Sequence, residues 1–292
     1  MSLAKLAEPS LSTLTIAAVR FSLSGEGDGL FMPSFDQFLT GAVAADLNCD
    51  INAVGAVSEL AGLSVEGAPP WLFAQDGLNG KVVRYNHDGR VLWQMEGGDD
   101  YRRAKVIWHP QLFVERYGSY RAAWSTGLGF LALGMRLRTN GGVMLHGAAA
   151  VLDGAGVICT GVSGVGKSTI SRVLHAAGAL ILSDERVVIR HGGDGFRVYG
   201  TPWPSSAGFA CNGVAPLRGI FFLKHGQSDA VRQLEQRDAL RRLIPVSMIS
   251  WQTPALLDPW LATVERLVTD VPCYLLEFRP TEDVVEVIRR EI

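Results

Sequence analysis

Eight consecutive residues carry the clearest chemistry in this chain. Gly161-Val162-Ser163-Gly164-Val165-Gly166-Lys167-Ser168 fits the pattern GxxxxGK[ST], with an apolar strand pattern before it and a helical one after it, as that pattern requires. Glycines at this spacing let successive backbone N–H groups turn inward around a phosphate, and the N-terminus of the following helix favours negative charge. Lys167 would reach the β- and γ-phosphates, and the Ser168 hydroxyl would sit on the magnesium ion that bridges them. The expected cofactors are ATP and Mg2+. The phosphate-binding residues expected are Gly161, Ser163, Gly164, Val165, Gly166, Lys167, Ser168 and Thr169. An NKxD motif is absent downstream, which argues against a GTPase; the string nearest to LSGGQ, Leu23 to Gly27, lies far upstream and reads as a plain turn.

Two acids follow, Asp184 and Glu185, at the end of the strand after the loop's helix, so a carboxylate should emerge near the phosphates. One acid could hold magnesium and the other accept the proton of a hydroxyl attacking the γ-phosphate. An acid pair after a strand also fits a solvated turn or a helix cap. If Asp153 to Gly156 form a hairpin turn, Leu152 pairs with Val157, and counting outward sets His146 opposite Ser163. There His146 could bond a phosphate oxygen or orient and help ionise a neighbouring acid, or be a plain strand-end histidine.

These residues need elements to hold them. VMLHGAAAVL and GVICTG read as strands, and Lys167 to Ala177 as a helix with Ile170, Val173, Leu174 and Ala177 on one face. Gly178 suits the left-handed position that ends it, and ALIL supplies the next buried strand. GIFFL (219–223) and VPCYLLEF (271–278) read as strands; Asp229–Leu243, Pro259–Val268 and Thr281–Arg290 read as helices. Between Thr13 and Phe113 the texture is short strands and turns, clearest in KVVRYNHDGRVLWQM, a hairpin about Asp88-Gly89. Phe31, Phe35, Phe38, Trp71, Phe73, Trp93 and Trp108 are the expected core of this half. Ser119 to Arg138 reads as an apolar connecting helix. The expected organisation is a β-rich N-terminal domain over 1–120 and a catalytic domain over 121–292, of α/β class and α+β overall.

Thr201-Pro202-Trp203-Pro204 is stiff, because two prolines fix the backbone around the tryptophan. It either lines a substrate mouth or, as the preferred reading, makes a rigid inter-strand connection with Trp203 in the core. Arg218 and Lys224 flank an apolar strand and could touch a triphosphate or be solvated strand-end cations. Arg232, Arg237, Arg241 and Arg242 fall on a predicted helix and suit a solvated face or an acidic peptide.

Composition limits the function classes. With 27 basic against 29 acidic residues in 292, and a net charge of -2, a dedicated nucleic-acid binder is disfavoured. Cys49, Cys159, Cys211 and Cys273 lie far apart with no CxxC pair, so neither a zinc site nor a disulfide framework is encoded. The longest apolar run, Gly127 to Met135, is far short of the roughly 18 residues that cross a bilayer. The N-terminus lacks a signal-peptide core. A soluble, cytoplasmic protein is expected, with no membrane and no nucleic-acid partner.

His146-Gly147, GVSGVGKST (161–169) and LSDERVVI (182–189), in this order, resemble the HPr kinase/phosphorylase family, P-loop kinases related to phosphoenolpyruvate carboxykinase, over about residues 140 to 225. The resemblance implies that family's P-loop kinase core and a serine kinase activity. Asp184 matches the general base that activates a serine hydroxyl, His146 the histidine that supports it, and Glu185, with Ser168, the magnesium side. After the acids the chain reads RVYGTPWPSSAG, where the bacterial HPr kinases carry a different signature associated with the reverse reaction. GTPWP followed by APLRGIFFL looks more like homologues found beside peptide-modification genes, including kinases of lasso peptides. The resemblance also suggests a homo-oligomer.

The expected function is therefore ATP- and magnesium-dependent transfer of a phosphoryl group to a serine of a peptide or protein. Two alternatives stay open: a kinase for a small hydroxyl compound, and a nucleotide-dependent binding or switch protein with little transfer.

Overall fold

A computed structural model describes residues 10–25, 31–41, 44–53, 64–68, 71–76, 80–87, 90–97, 102–117, 124, 128–139, 141–248 and 257–292. Two compact units divide the chain, Met1–Arg136 and Leu137–Ile292. The division lies later than the boundary expected near residue 120. Helix Gly129–Thr139 runs across it, so the change of texture in the sequence marks where the second sheet begins.

In the first unit, β1 (Ser10–Ile16), β2 (Val19–Gly25), β3 (Leu47–Ala53), β4 (Ser64–Ala68), β5 (Trp71–Asp76), β6 (Gly80–His87), β7 (Arg90–Gly97) and β8 (Arg103–Trp108) form one sheet in the order β1-β2-β3-β8-β7-β6-β5-β4. The pairs β2–β3 and β3–β8 are parallel and the others antiparallel. Alternate residues are buried on three of these strands: Val19, Phe21 and Leu23 on β2, Leu47, Cys49 and Ile51 on β3, Ala104, Val106 and Trp108 on β8. The hairpin read about Asp88-Gly89 has its strands in place, with His87 paired to Arg90; the two turn residues lie outside the described residues. Phe35, Phe38, Trp93 and Trp108 are buried as expected. Phe31 is only partly covered, and the side chains of Trp71 and Phe73 lie outside the described residues. Helices α1 (Pro110–Tyr117) and α2 (Gly129–Thr139) follow; of the connecting helix read over 119–138, only the part from Gly129 is described as α-helix.

The second unit holds β9 (Gly142–Leu152), β10 (Ala155–Thr160), α3 (Lys167–Ala176), β11 (Leu180–Ser183), β12 (Arg186–Gly192), β13 (Gly195–Tyr199), β14 (Val214–His225), β15 (Ala230–Gln233), α4 (Gln236–Leu243), α5 (Leu257–Asp270), β16 (Cys273–Phe278) and α6 (Asp283–Arg289). The sheet order is β10-β9-β12-β13-β14-β16-β15, and β14 also pairs with β10, so five strands close into a ring. The length of β14 allows this: residues 214–216 pair with β13, and residues from Leu217 to Phe222 pair with β10. Both faces of β9 are covered. Val143, Leu145 and Ala149 join a core with residues of α4 and α5, while Ala148, Ala150 and Leu152 join a second core with Ile170 and Leu174 of α3 and Val284, Val285 and Ile288 of α6. Each buried Val, Leu or Ile contributes about 1.5–3 kcal/mol, so α3 is anchored to the sheet by side chains just past the glycine loop.

One predicted helix is corrected. Residues 229–243 divide into the edge strand β15 and the shorter α4, because residues 230–233 pair with β16 and Leu234 N–H donates to Cys273 O at 2.8 Å. Pairing with an open sheet edge outweighs local helix preference. Strands β12 and β13, a hairpin, were not among the elements read from the sequence. Among the described residues no helix is long and apolar enough to cross a membrane, and all four cysteines are free.

Candidate functional site

The glycine loop leaves β10 at Thr160 and enters α3 at Lys167, the strand-loop-helix order its sequence requires. Gly166 has φ +101°, a conformation that side-chain-bearing residues rarely adopt, and a Cβ there would lie 3.0 Å from Phe278 Cζ. Gly161 and Gly164 also have positive φ. Val165 is buried and anchors the loop, while Val162, Ser163 and Gly164 are exposed at its rim. Ile170 N–H donates to Gly166 O at 2.9 Å and so starts the helix. At the far end, Gly178 (φ +88°) donates to His175 O and Ala179 to Leu174 O, the glycine-terminated cap read from the sequence. Lys167 is buried, and its ammonium donates to Gly161 O and Val162 O, each at 3.1 Å. Burial draws that ammonium below its ordinary pKa, and the nearby Glu185 carboxylate pulls the other way. Thr169 is partly exposed on the first turn.

The β9–β10 turn is tighter than expected. Asp153 (φ +52°) and Gly154 (φ +82°) alone make it, and Leu152 pairs with Ala155, not Val157. Asp-Gly suits this two-residue turn, because both positions need positive φ. The shift of two residues carries the register so that Gly147 pairs with Thr160. His146 then stands level with Gly161 instead of Ser163, at the root of the loop, where Thr160 Oγ1 donates to His146 O at 2.7 Å.

The two acids part company at the bend between β11 and β12. Asp184 is 1% exposed. Its Oδ1 accepts the Ser205 N–H at 2.9 Å, and its Oδ2 accepts the Ser205 hydroxyl at 3.0 Å and the Ala207 N–H at 2.9 Å. The Ser205 Oγ also lies 3.1 Å from Ser168 Oγ, and the Ser206 hydroxyl 3.4 Å from it. Asp184, Ser205 and the loop's Ser168 thus form one chain of hydrogen bonds. The segment that brings Ser205 here is held on both sides: Thr201 Oγ1 donates to Arg186 O at 2.6 Å, Trp203 is buried, and Arg172 donates to Ser206 O at 3.3 Å. The rigid-connection reading of Thr201 to Pro204 is the one observed.

Glu185 turns the other way. Its Oε1 lies 3.2 Å from His146 Nδ1 and 3.1 Å from Arg186 Nη1, and Arg186 Nη1 also contacts His146 Nδ1. Strand register causes this meeting, since Arg186 and His146 are direct partners across β12–β9 and share a sheet face. Burial pushes the Glu185 carboxyl up, but the hydrogen bond with His146 and the charges of Arg186, His146 and Lys167 outweigh it and leave its pKa below the ordinary value. Burial draws Arg186 down, with Glu185 opposing. His146 Nδ1 can donate to Glu185 or accept from Arg186, but one nitrogen does only one at a time.

The expected pairings are therefore exchanged. His146 meets Glu185 and Arg186, where the sequence reading set it beside Asp184; Ser168 is linked to Asp184, where that reading set it with Glu185. The reason is that adjacent residues leaving a strand point to opposite faces. Arg186, Ser205 and the Ala207 amide were missed. Arg186 was signalled only by following the acid pair, and Ser205-Ser206 only as a short polar run after the stiff TPWP segment. Lys224 is paired with Glu277 at 2.7 Å, and Arg218, Arg232, Arg237, Arg241 and Arg242 are exposed. Of the last four, Arg232 lies on β15 and not on a helix. Among the described residues, no three His, Cys, Asp or Glu side chains gather as a metal site. The oxygen atoms of Ser168, Ser205 and Asp184 are of the hard type that magnesium takes when phosphates and water complete its shell.

Residues 129–290, more than half of the chain, match the family model described as SynChlorMet cassette protein ScmC. The chain belongs to the ScmC family. The ScmC match takes in the glycine loop, both acids, His146, Arg186 and Ser205. No curated protein matches the chain. Among solved structures, the Hpr(Ser) kinase/phosphatase from Coxiella burnetii is similar at 15% identity, over 50% of this chain and 93% of that one, with a TM-score of 0.31.

Proposed function

We propose that this ScmC-family protein is a kinase that uses ATP and magnesium to transfer the γ-phosphoryl group to a serine hydroxyl of a peptide or protein. The observation that carries this reading is the Asp184 carboxylate holding a serine hydroxyl at 3.0 Å, with that hydroxyl 3.1 Å from Ser168 of the glycine loop. A base must sit about 2.6–3.2 Å from the proton's oxygen to take it during transfer, and an acceptor hydroxyl in the same place would meet that condition. The loop amides and Lys167 bind and orient the phosphates, with Ser163 at the loop's exposed rim and Thr169 on the first turn of α3. Lys167 would leave the carbonyls of Gly161 and Val162 for phosphate oxygens. Glu185, held by Arg186 and His146, supplies negative charge that favours the ammonium form of Lys167 and so opposes the effect of its burial. Magnesium, held by Ser168 with the phosphates, would neutralise charge developing on them.

The test offers γ-labelled ATP and magnesium with serine peptides, proteins and small hydroxyl compounds in parallel. Label should reach a peptide or protein serine. Lys167→Ala should abolish nucleotide binding, and Asp184→Asn should keep it while losing transfer by on the order of 10²–10⁴-fold. Undiminished transfer by the Asp184→Asn protein would remove Asp184 as the base, and label on small compounds alone would replace the acceptor class.

A further inference from the structure

The hydroxyl that Asp184 holds belongs to the chain itself. We propose that Ser205 is an internal phosphoryl acceptor, phosphorylated in cis by the same site; this rests on the kinase reading above. Three features single it out from other hydroxyls. Its Oγ has the buried carboxylate of Asp184 at 3.0 Å and the loop hydroxyl of Ser168 at 3.1 Å. Its backbone is pinned, because its own N–H and the Ala207 N–H both donate to the same carboxylate at 2.9 Å. It is partly open to solvent, so neither nucleotide nor product is sterically sealed from it. Ser206, the adjacent hydroxyl, is exposed, and its hydrogen bond goes to Ser168 instead of to a carboxylate.

A triphosphate held on the loop would bring its γ-phosphoryl group to the region of Ser168, the hydroxyl that would help to hold its magnesium. Ser205 is then the nucleophile already in position. Its Oγ forms the new bond to the γ-phosphorus as the bond from that phosphorus to the β,γ-bridging oxygen breaks. ADP leaves with the bonding electrons, and the hydroxyl proton passes to Asp184 Oδ2. Once Asp184 has passed that proton to solvent, its carboxylate and the phosphoserine dianion repel each other, so the product state would release the 205–207 segment from the acid. An outside acceptor must displace the Ser205 hydroxyl to reach the same carboxylate oxygen. Ser205 is therefore a competitor of the external acceptor until it is itself modified.

The experiment incubates the full-length chain with ATP and magnesium and no added acceptor, then measures intact mass and maps the modified residue by fragmentation. The expected result is one added phosphoryl group per chain on Ser205, formed at a rate independent of protein concentration. It should be absent in Ser205→Ala and retained, on the new hydroxyl, in Ser205→Thr. The alanine variant keeps both amide bonds to Asp184, so its folding is checked by a melting temperature and a far-UV circular dichroism spectrum close to those of the wild type. Phosphate on Ser206 or elsewhere, or an unmodified chain in a preparation that labels a serine peptide, overturns the inference while leaving the kinase reading intact. A chain that neither binds nor turns over ATP overturns both.

Discussion

Replacing Asp184 by Asn tests whether this acid organises the 205–207 segment as the distances imply. The carboxylate accepts three hydrogen bonds, two of them from backbone amides on different oxygens. Asn has almost the same shape but only one acceptor oxygen. In either orientation its NH2 faces a backbone N–H, from Ser205 or from Ala207, and leaves that donor unpaired. A stranded donor costs about 1–3 kcal/mol, and the bonds that remain lose the charge that strengthened them, about 1 kcal/mol more. The expected destabilisation is about 2–4 kcal/mol, a fall of roughly 5–10 °C in melting temperature for a unit of this size. Because two units of one chain can melt separately, hydrogen exchange is the sharper assay. The amides of Ser205 and Ala207 should be protected in the wild type and lose protection in Asp184→Asn. Unchanged protection of both amides, with an unchanged melting temperature, would refute the argument that Asp184 holds this segment.

Two further outcomes follow from the same geometry. Gly166→Ala meets both a backbone penalty at φ +101° and the Phe278 ring at 3.0 Å, whereas Gly164→Ala meets open space at φ +80°. Thermal or denaturant unfolding should find a stability loss of only about 1–2 kcal/mol in the second and a larger one in the first, and calorimetric titration with ADP should find binding lost in the first and weakened less in the second; equal effects would show that the Phe278 contact is unimportant. Glu185→Gln concerns pH. A carboxyl whose folded pKa is depressed below its ordinary 4.5 contributes stability that is present above that value and lost as pH falls through the lower folded value. The wild type should exceed the variant by about 1–2 kcal/mol at neutral pH, and denaturant titrations should find the gap closing in acid. A gap that persists unchanged at low pH would show that the charge on Glu185 is not what holds it to Arg186 and His146.

What could be read from the sequence alone is what depends on near neighbours along the chain. The glycine spacing at 161, 164 and 166, the lysine and serine that follow, the apolar face of α3 and its stop at Gly178 all lie within one short stretch, and each needs only backbone sterics and helical periodicity to be recognised. The positions of the two acids at a strand end were legible for the same reason. Their partners were not. Whether His146 meets Asp184 or Glu185 depends on β12 pairing with β9 and on the register of that pair; on the other side of β9, a turn two residues tighter than expected set His146 level with Gly161 instead of Ser163. The strand at Ala230–Gln233 exists because β16 has an edge to pair with, although its residues read locally as helix. Ser205 reaches Asp184 from beyond the β12–β13 hairpin, a meeting that no periodicity encodes. Local sterics specify the loop and the types of residue around it; the closure of the sheet, a property of all its strands together, decides which of those residues touch.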